Sequence, residues 1–196
     1  IGFSEVGVMA SLNIPQVDVF LNPIIAVAST GSEILDLGVT QTNDSQIRSS
    51  NHLTLEALFR SNGAQVLQMG PIIDDIDTIT NFFESSLKKA DIVVTTGGVS
   101  VGDYDFVQDV IKDRLKAKVL FHGVLIKPGL HILIALKDEK IIVALPGFAY
   151  SSTVTAILYV LPLIFKFRKA NQSLPIVKAR INQDLKRTQD KTIFTA

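Results

Sequence analysis

The 196-residue chain contains no cysteine. Disulfides and thiolate metal sites are therefore excluded, and a reducing compartment is compatible with the composition. Histidine is scarce: His52, His122 and His131 lie far apart with no metal-ligand spacing, so they read as ordinary surface or half-buried residues. Neither charge sign is in excess. Nineteen basic and nineteen acidic residues give a formal net charge of zero. No global field then favours nucleic acid or a membrane surface, and any anion recognition must be local. No signal peptide is visible. The chain opens Ile1-Gly2-Phe3-Ser4 without an initiator methionine, so it reads as a fragment or a processed form. The uncharged, helix-like stretch Ala149 to Phe165 contains Pro162 and falls short of the roughly 20 residues a span needs. A buried helix explains it better. Neither the Gly-x-x-x-x-Gly-Lys-Ser/Thr loop nor Gly-x-Gly-x-x-Gly is present, which disfavours a P-loop kinase or an ordinary dinucleotide dehydrogenase. A Gly-x-Ser-x-Gly elbow is missing too.

What is present is an apolar fraction of 47% with only 19% charged residues, suited to a well-buried core. The pattern alternates. Strands are expected at Gln16–Phe20, Ile24–Ser29, Gln65–Met69 and Asp91–Thr95. Helices are expected to end near Leu12 and to cover Ser50–Asn62, Asp75–Lys88 and Phe106–Leu115. From Lys118 the pattern changes to strands Lys118–Phe121, Ile132–Leu136 and Lys140–Leu145, the last two as a hairpin around Asp138-Glu139. A helix Ser151–Phe165 closes the unit. This predicts a doubly wound, mostly parallel α/β sheet with right-handed crossovers. Residues 1–20 read as the end of an N-terminal region and 21–168 as the α/β domain. Residues 169–196 read as a linker and the start of a small, truncated C-terminal β module.

In such a sheet, ligands bind beyond the C-terminal ends of the strands. Several suggestive loops fall there: Ser29-Thr30-Gly31-Ser32-Glu33, Asp74-Asp75, and Leu145-Pro146-Gly147 leading to Ser151. The most informative is Thr95-Thr96-Gly97-Gly98-Val99-Ser100-Val101-Gly102-Asp103-Tyr104-Asp105. It reads as a strand, a glycine-rich turn and a helix start. Glycines admit an anion close to the backbone, and a helix N-terminus offers free N–H groups. Asp103 and Asp105 beside such a site point to a phosphate with a divalent cation between. The alternative is a tight turn with acids capping the helix. Lys127-Pro128-Gly129 places a cation in a stiff turn, where it can meet a phosphate or oxyanion or simply face solvent.

Together these loops resemble molybdopterin molybdenumtransferase, the family that includes the gephyrin E-domain. The matching segments are Ser29–Glu33, Gln46–Asn51, Thr96–Asp105, Ile126–Gly129 and Leu145–Gly147, in the family's order. The resemblance implies the molybdopterin-binding fold and a late step of molybdenum cofactor synthesis. In that step molybdate enters adenylylated molybdopterin and AMP is released, assisted by a divalent metal, usually Mg2+. It implies Glu33, Asp74, Asp105 and Lys127 as catalytic residues. Thr30, Gly31, Thr96, Gly97, Gly98, Ser100, Gly102, Pro146, Gly147 and Ser151 would bind the pterin substrate, and Glu33, Asp103 and Asp105 the metal. It further implies a cytoplasmic, homodimeric enzyme when full length, with small-molecule substrates and neither nucleic acid nor membrane as partner. The chain departs from the usual pattern at Ser32, at Ser49 or Ser50, at Gly123, at Leu130-His131 and at Phe148-Ala149. A non-catalytic pterin-binding or scaffold module, and the related molybdopterin adenylyltransferase, stay open as alternatives.

Overall fold

The computed structural model describes residues 1–99, 105–171, 173–180, 182 and 190–195. In chain order these form α1 (Phe3–Ser11), β1 (Ile24–Thr30), β2 (Ile34–Leu35), β3 (Ile47–Arg48), α2 (Asn51–Ser61), β4 (Gln65–Ile72), α3 (Ile76–Leu87) and β5 (Ile92–Thr96). Then follow α4 (Phe106–Asp109, continued by a π-helical turn Val110–Arg114), β6 (Lys118–His122), β7 (Ile126–Lys127), β8 (Leu133–Lys137) and β9 (Lys140–Leu145). The last elements are α5 (Ala149–Thr155), a π turn Ala156–Val160, α6 (Leu161–Phe167) and β10 (Thr192–Ile193).

Six strands make the central sheet, in the order β4-β1-β5-β9-β8-β6. The first four are mutually parallel. The β8–β9 hairpin turns at Asp138, whose φ is +54°, and β6 pairs antiparallel with β8. The architecture is thus a mixed α/β fold on a mostly parallel sheet.

The apolar runs of β1, β5 and β9 follow from this position, since side chains alternate between two covered faces. On one face Ile25, Val27, Ile92, Val94, Val143 and Leu145 pack on Leu55 and Phe59 of α2 and on Val160, Leu161, Ile164 and Phe165. On the other, Ala26, Ala28, Val93, Ile142 and Ala144 meet Ile79, Phe82 and Phe83 of α3 and Val107, Val110 and Ile111. Burying each large side chain contributes roughly 1.5–3 kcal/mol relative to exposure. The small residues Ala26, Ala28 and Ala144 leave room for the bulky phenylalanines of α3.

The run 149–167 is long and apolar enough to cross a membrane by length and composition, but half of it is buried in this core. Pro162 lacks an N–H and cannot continue the i→i−4 ladder. The π turn directly before it absorbs the interruption, which is the usual way a helix keeps its direction past a local break.

Two expectations change. Gln16–Phe20 forms no strand: Val17, Val19 and Phe20 are exposed, and among the described residues no neighbouring strand supplies backbone partners for the alternating pattern. The strand expected over Gln65–Met69 runs on to Ile72, paired with β1 to Thr30 across a register shift. In the segment 169–196 the described secondary structure is β10, which pairs parallel with β7.

The helices after adjacent strands β1 and β5 lie on opposite faces: α2 on the first, α4 on the second. Loops that leave adjacent strands for opposite faces make a topological switch point at the sheet's C-terminal edge, where open α/β sheets have their ligand crevice.

Candidate functional site

The floor of the crevice is built from glycines for steric reasons. Gly97 follows β5 with φ +95°, and a Cβ there would lie 2.6 Å from the Thr30 carbonyl oxygen. Gly98 has φ +64°, and its Cβ would lie 2.4 Å from Cγ2 of Val107. Both contacts are too short for any side chain, and both φ values belong to the left-handed region that glycine occupies freely. Gly147, after β9, comes so close that its Cβ would sit 3.4 Å from the Gly97 Cα. The Gly97 N–H donates to the Leu145 carbonyl at 3.0 Å, which ties the two loops together. Thr30 and Thr96 close the end of this floor, both nearly fully buried.

The carboxylates collect at the same edge. Asp105 caps α4, its Oδ1 accepting the Gln108 N–H at 3.3 Å. Its Oδ2 is buried without a hydrogen-bond partner among the described residues, and so is Oδ1 of Asp74. Burial pushes Asp105 up to about 6. The neighbouring charges of Asp109 and Asp74 add to this, against the Gln108 N–H and Lys112. Burial also raises Asp74, helped by the negative field of Glu33. Asp74 therefore lies within electrostatic reach of both Glu33 and Asp105, and Glu33 itself is exposed. Next to Asp74, Asp75 is an ordinary helix cap: its Oδ2 accepts the Thr78 N–H at 2.9 Å, which holds its carboxyl below the usual range.

Lys127 lies in β7, exposed, after the strand β6 that ends at this same edge. It makes no ion pair with the three acids among the described residues. Two residues on, Gly129 packs so tightly on α5 that a Cβ would fall 2.5 Å from Cγ2 of Thr155. The lysine loop is thus fixed against the helix that Gly147 leads into, where Ser151 is buried and Pro146 half-buried. Gly31, with φ +154°, carries Glu33 folded back over it: a Cβ would meet Oε2 at 2.9 Å. Ser100, Gly102 and Asp103 lie outside the described residues. Among the described residues no three His, Cys, Asp or Glu side chains form a cluster able to hold a metal by themselves. Among the described carboxylates, those with a buried, unpartnered oxygen are Asp74 and Asp105.

The structure adds residues that site selection from sequence passed over. The Asn51 side chain opens α2 and donates to the Gly147 carbonyl at 2.7 Å and to Thr96 Oγ1 at 3.5 Å. It bridges the loops after β5 and β9. His52, expected at or near the surface, has no exposed area at all. It contacts Ser49, Ser29 and Asp36. The available signal was Ser49-x-x-His52 at the start of a helix, a spacing that puts both side chains on one face. His122, at the end of β6, donates to the Val99 backbone carbonyl, which favours its charged form, while burial depresses its pKa.

Residues 26–166, most of the chain, match the family described as "Probable molybdopterin binding domain". The chain belongs to this family. It is 34% identical over 190 residues to the molybdopterin molybdenumtransferase of Staphylococcus aureus, covering 96% of this chain and 45% of that protein. The molybdopterin molybdenumtransferase of Staphylococcus epidermidis is 31% identical over 188 residues, covering 95% and 44%. The chain thus spans about half the length of these curated relatives. Among solved structures, the molybdopterin biosynthesis MoeA protein of Pyrococcus horikoshii superposes with a TM-score of 0.78 at 29% identity, over 88% of this chain and 42% of that one. The crevice between β1 and β5 lies wholly inside the stretch matched as a molybdopterin-binding domain.

Proposed function

We propose that this chain is the molybdopterin-binding part of a molybdopterin molybdenumtransferase, which inserts molybdate into adenylylated molybdopterin and releases AMP. The observation that carries this reading is a glycine floor, Gly97, Gly98 and Gly147, at the same sheet edge as two carboxylates, Asp74 and Asp105, each with one buried oxygen unpartnered among the described residues. The named relatives support the choice of substrate.

In this reading the backbone of Gly97 and Gly98 approaches the substrate phosphate, where any side chain would intrude. Thr30, Gly31, Thr96, Pro146 and Ser151 shape the surrounding pocket, to which Ser100 and Gly102 also belong. Lys127 supplies the positive charge for molybdate, which is a substrate. Asp74 and Asp105 offer hard oxygen donors, fitting a cation such as Mg2+ that uses one or two carboxylates and keeps several waters. Glu33 and Asp103 complete the proposed acidic set. Such a cation supplies neutralisation of phosphate charge. The Asp105 oxygen not on the cation would accept the proton of a water aligned on the adenylate phosphorus, as a general base does. The bond between that phosphorus and the bridging anhydride oxygen breaks, AMP leaves, and the pterin phosphate keeps the bridging oxygen. A homodimeric assembly and a cytoplasmic location are part of the same proposal.

The test is AMP release from adenylylated molybdopterin with Mg2+, with and without molybdate, for the protein and for Asp105→Asn and Lys127→Ala. Release that needs molybdate and drops at least tenfold in each variant is expected, the scale of a lost general base or oxyanion contact. Unchanged turnover in both variants overturns the residue roles. Pterin binding without any AMP release leaves a binding module instead, and dependence on ATP in place of molybdate favours the adenylyltransferase.

A further inference from the structure

His52 is a fully buried imidazole that the proposed chemistry does not use. The hydroxyls near it form one chain of contacts. The Asn51 amide donates to Thr96 Oγ1 at 3.5 Å, Thr96 Oγ1 donates to Ser29 Oγ at 3.0 Å, and Ser29 Oγ lies 3.5 Å from His52 Nδ1. Ser49 Oγ reaches the same nitrogen at 2.6 Å. With Ser29 Oγ already accepting from Thr96, its own proton is free to go to Nδ1. On the other side of the ring, Nε2 faces Asp36 Oδ1 at 3.6 Å, just beyond hydrogen-bond length. A carboxylate only accepts, so the proton belongs on Nε2 and the lone pair on Nδ1.

We propose that His52, as the neutral Nε2–H tautomer, is a positioning residue: the terminal acceptor of a hydroxyl chain that fixes Thr96 and aims Asn51 at Gly147. Its neighbours bind it from three segments: Asp36 after β2, Ser49 after β3 and Ser29 in β1. Asp36 and Glu56 are the charged groups that face it. Both favour its protonation, yet burial outweighs them and holds the ring below the usual imidazole range. A neutral ring at neutral pH keeps Nδ1 an acceptor, and the chain keeps its direction. The physical reason for a histidine here is the one acceptor it offers at Nδ1. A phenylalanine would fill a similar volume and leave the buried Ser29 hydroxyl, and the half-buried Ser49 hydroxyl, without this acceptor. The proposal bears on the glycine floor only through Asn51, so it rests on the functional reading above for its purpose and not for its geometry.

The decisive measurement needs no ligand. Nitrogen chemical shifts of the 15N-labelled histidine ring in the intact protein at pH 7 are expected to show Nε2 protonated and Nδ1 bare. An imidazolium, or the Nδ1–H tautomer, overturns the proposal. Two variants then separate positioning from packing. His52→Asn keeps an acceptor where Nδ1 stood and loses volume; His52→Phe keeps volume and loses the acceptor. Hydrogen exchange of the Asn51 side-chain amide and of the Gly97 N–H is expected to quicken roughly tenfold in His52→Phe, the scale of one lost hydrogen bond, and to stay within about twofold in His52→Asn. The reverse order, with the asparagine variant the faster, makes His52 a core filler and sinks the inference. As a separate arm, AMP affinity is expected to fall in His52→Phe and recover in His52→Asn. Failure of wild-type protein to bind AMP would count against the transferase reading alone, because the tautomer and exchange results stand without it.

Discussion

Replacing Asp105 with asparagine should stabilise this protein at neutral pH, against the usual effect of altering a buried polar residue. The carboxyl is only 8% exposed, and its folded-state pKa is raised from 3.8 to about 6. Because the folded value lies above the unfolded one, the stability that the protonated acid contributes is complete below about pH 4. It is lost as pH rises through 6. A shift of about two units corresponds to roughly 3 kcal/mol of destabilisation above pH 7. Asparagine retains an Oδ1 to accept the Gln108 N–H, so the cap of α4 survives. It forfeits the attraction between a charged carboxylate and the helix N-terminus, about 0.3–1 kcal/mol. The net gain expected at pH 8 is therefore about 2 kcal/mol. For a chain of this length that raises Tm by roughly 4–8 °C. At pH 4 the two proteins should melt together. The assay is thermal and urea denaturation of both proteins from pH 4 to 8, with a carbon-13 titration of the Asp105 carboxyl. A carboxyl titrating near 4, or a stability difference that does not change with pH, would refute the argument that burial dominates at this position.

Two further substitutions probe the floor of the crevice. Gly97→Ala sets a methyl 2.6 Å from the Thr30 carbonyl on a backbone with φ +95°, so a loss of at least about 2 kcal/mol is expected in urea denaturation; a loss under 1 would show that the loop yields freely. Asn51→Ala removes the 2.7 Å hydrogen bond to Gly147, whose carbonyl can then turn to water, so a cost of about 1 kcal/mol is expected, and an unchanged denaturation midpoint would deny the bridge any structural role.

The parallel core was legible because its strands are buried on both faces. Ile24–Ser29, Asp91–Thr95 and Lys140–Leu145 are apolar almost without interruption, and each lies within a residue or two of β1, β5 and β9. The start of a helix at Asp75 was legible because capping is local, set by the N–H of Thr78 three residues on. Gln16–Phe20 misled for the opposite reason. Its alternation satisfies the strand period, but a strand also needs a neighbour with free backbone groups, and sequence periodicity carries no trace of one. The glycine turn was identified from its composition, yet the reason for Gly97 lies in Thr30, 67 residues earlier. His52 was the largest surprise. Its burial depends on Asp36, Ser49 and Ser29 arriving from three separate segments, and a lone histidine in sequence gives no sign of that.

By itself, then, the sequence determined the period of each element, the caps, the two-faced burial of the central strands and the set of loops that must share the sheet's C-terminal edge. These depend on residues close together in the chain, where steric preference and hydrophobic spacing act locally. The tertiary structure decided which groups in those loops touch. It set Gly147 against Gly97, aimed Asn51 between them, left one oxygen each of Asp74 and Asp105 buried and unpartnered, and turned His52 into the end of a hydroxyl chain. Desolvation and hydrogen-bond direction depend on every neighbour at once, and those neighbours are brought together only when the sheet closes its order β4-β1-β5-β9.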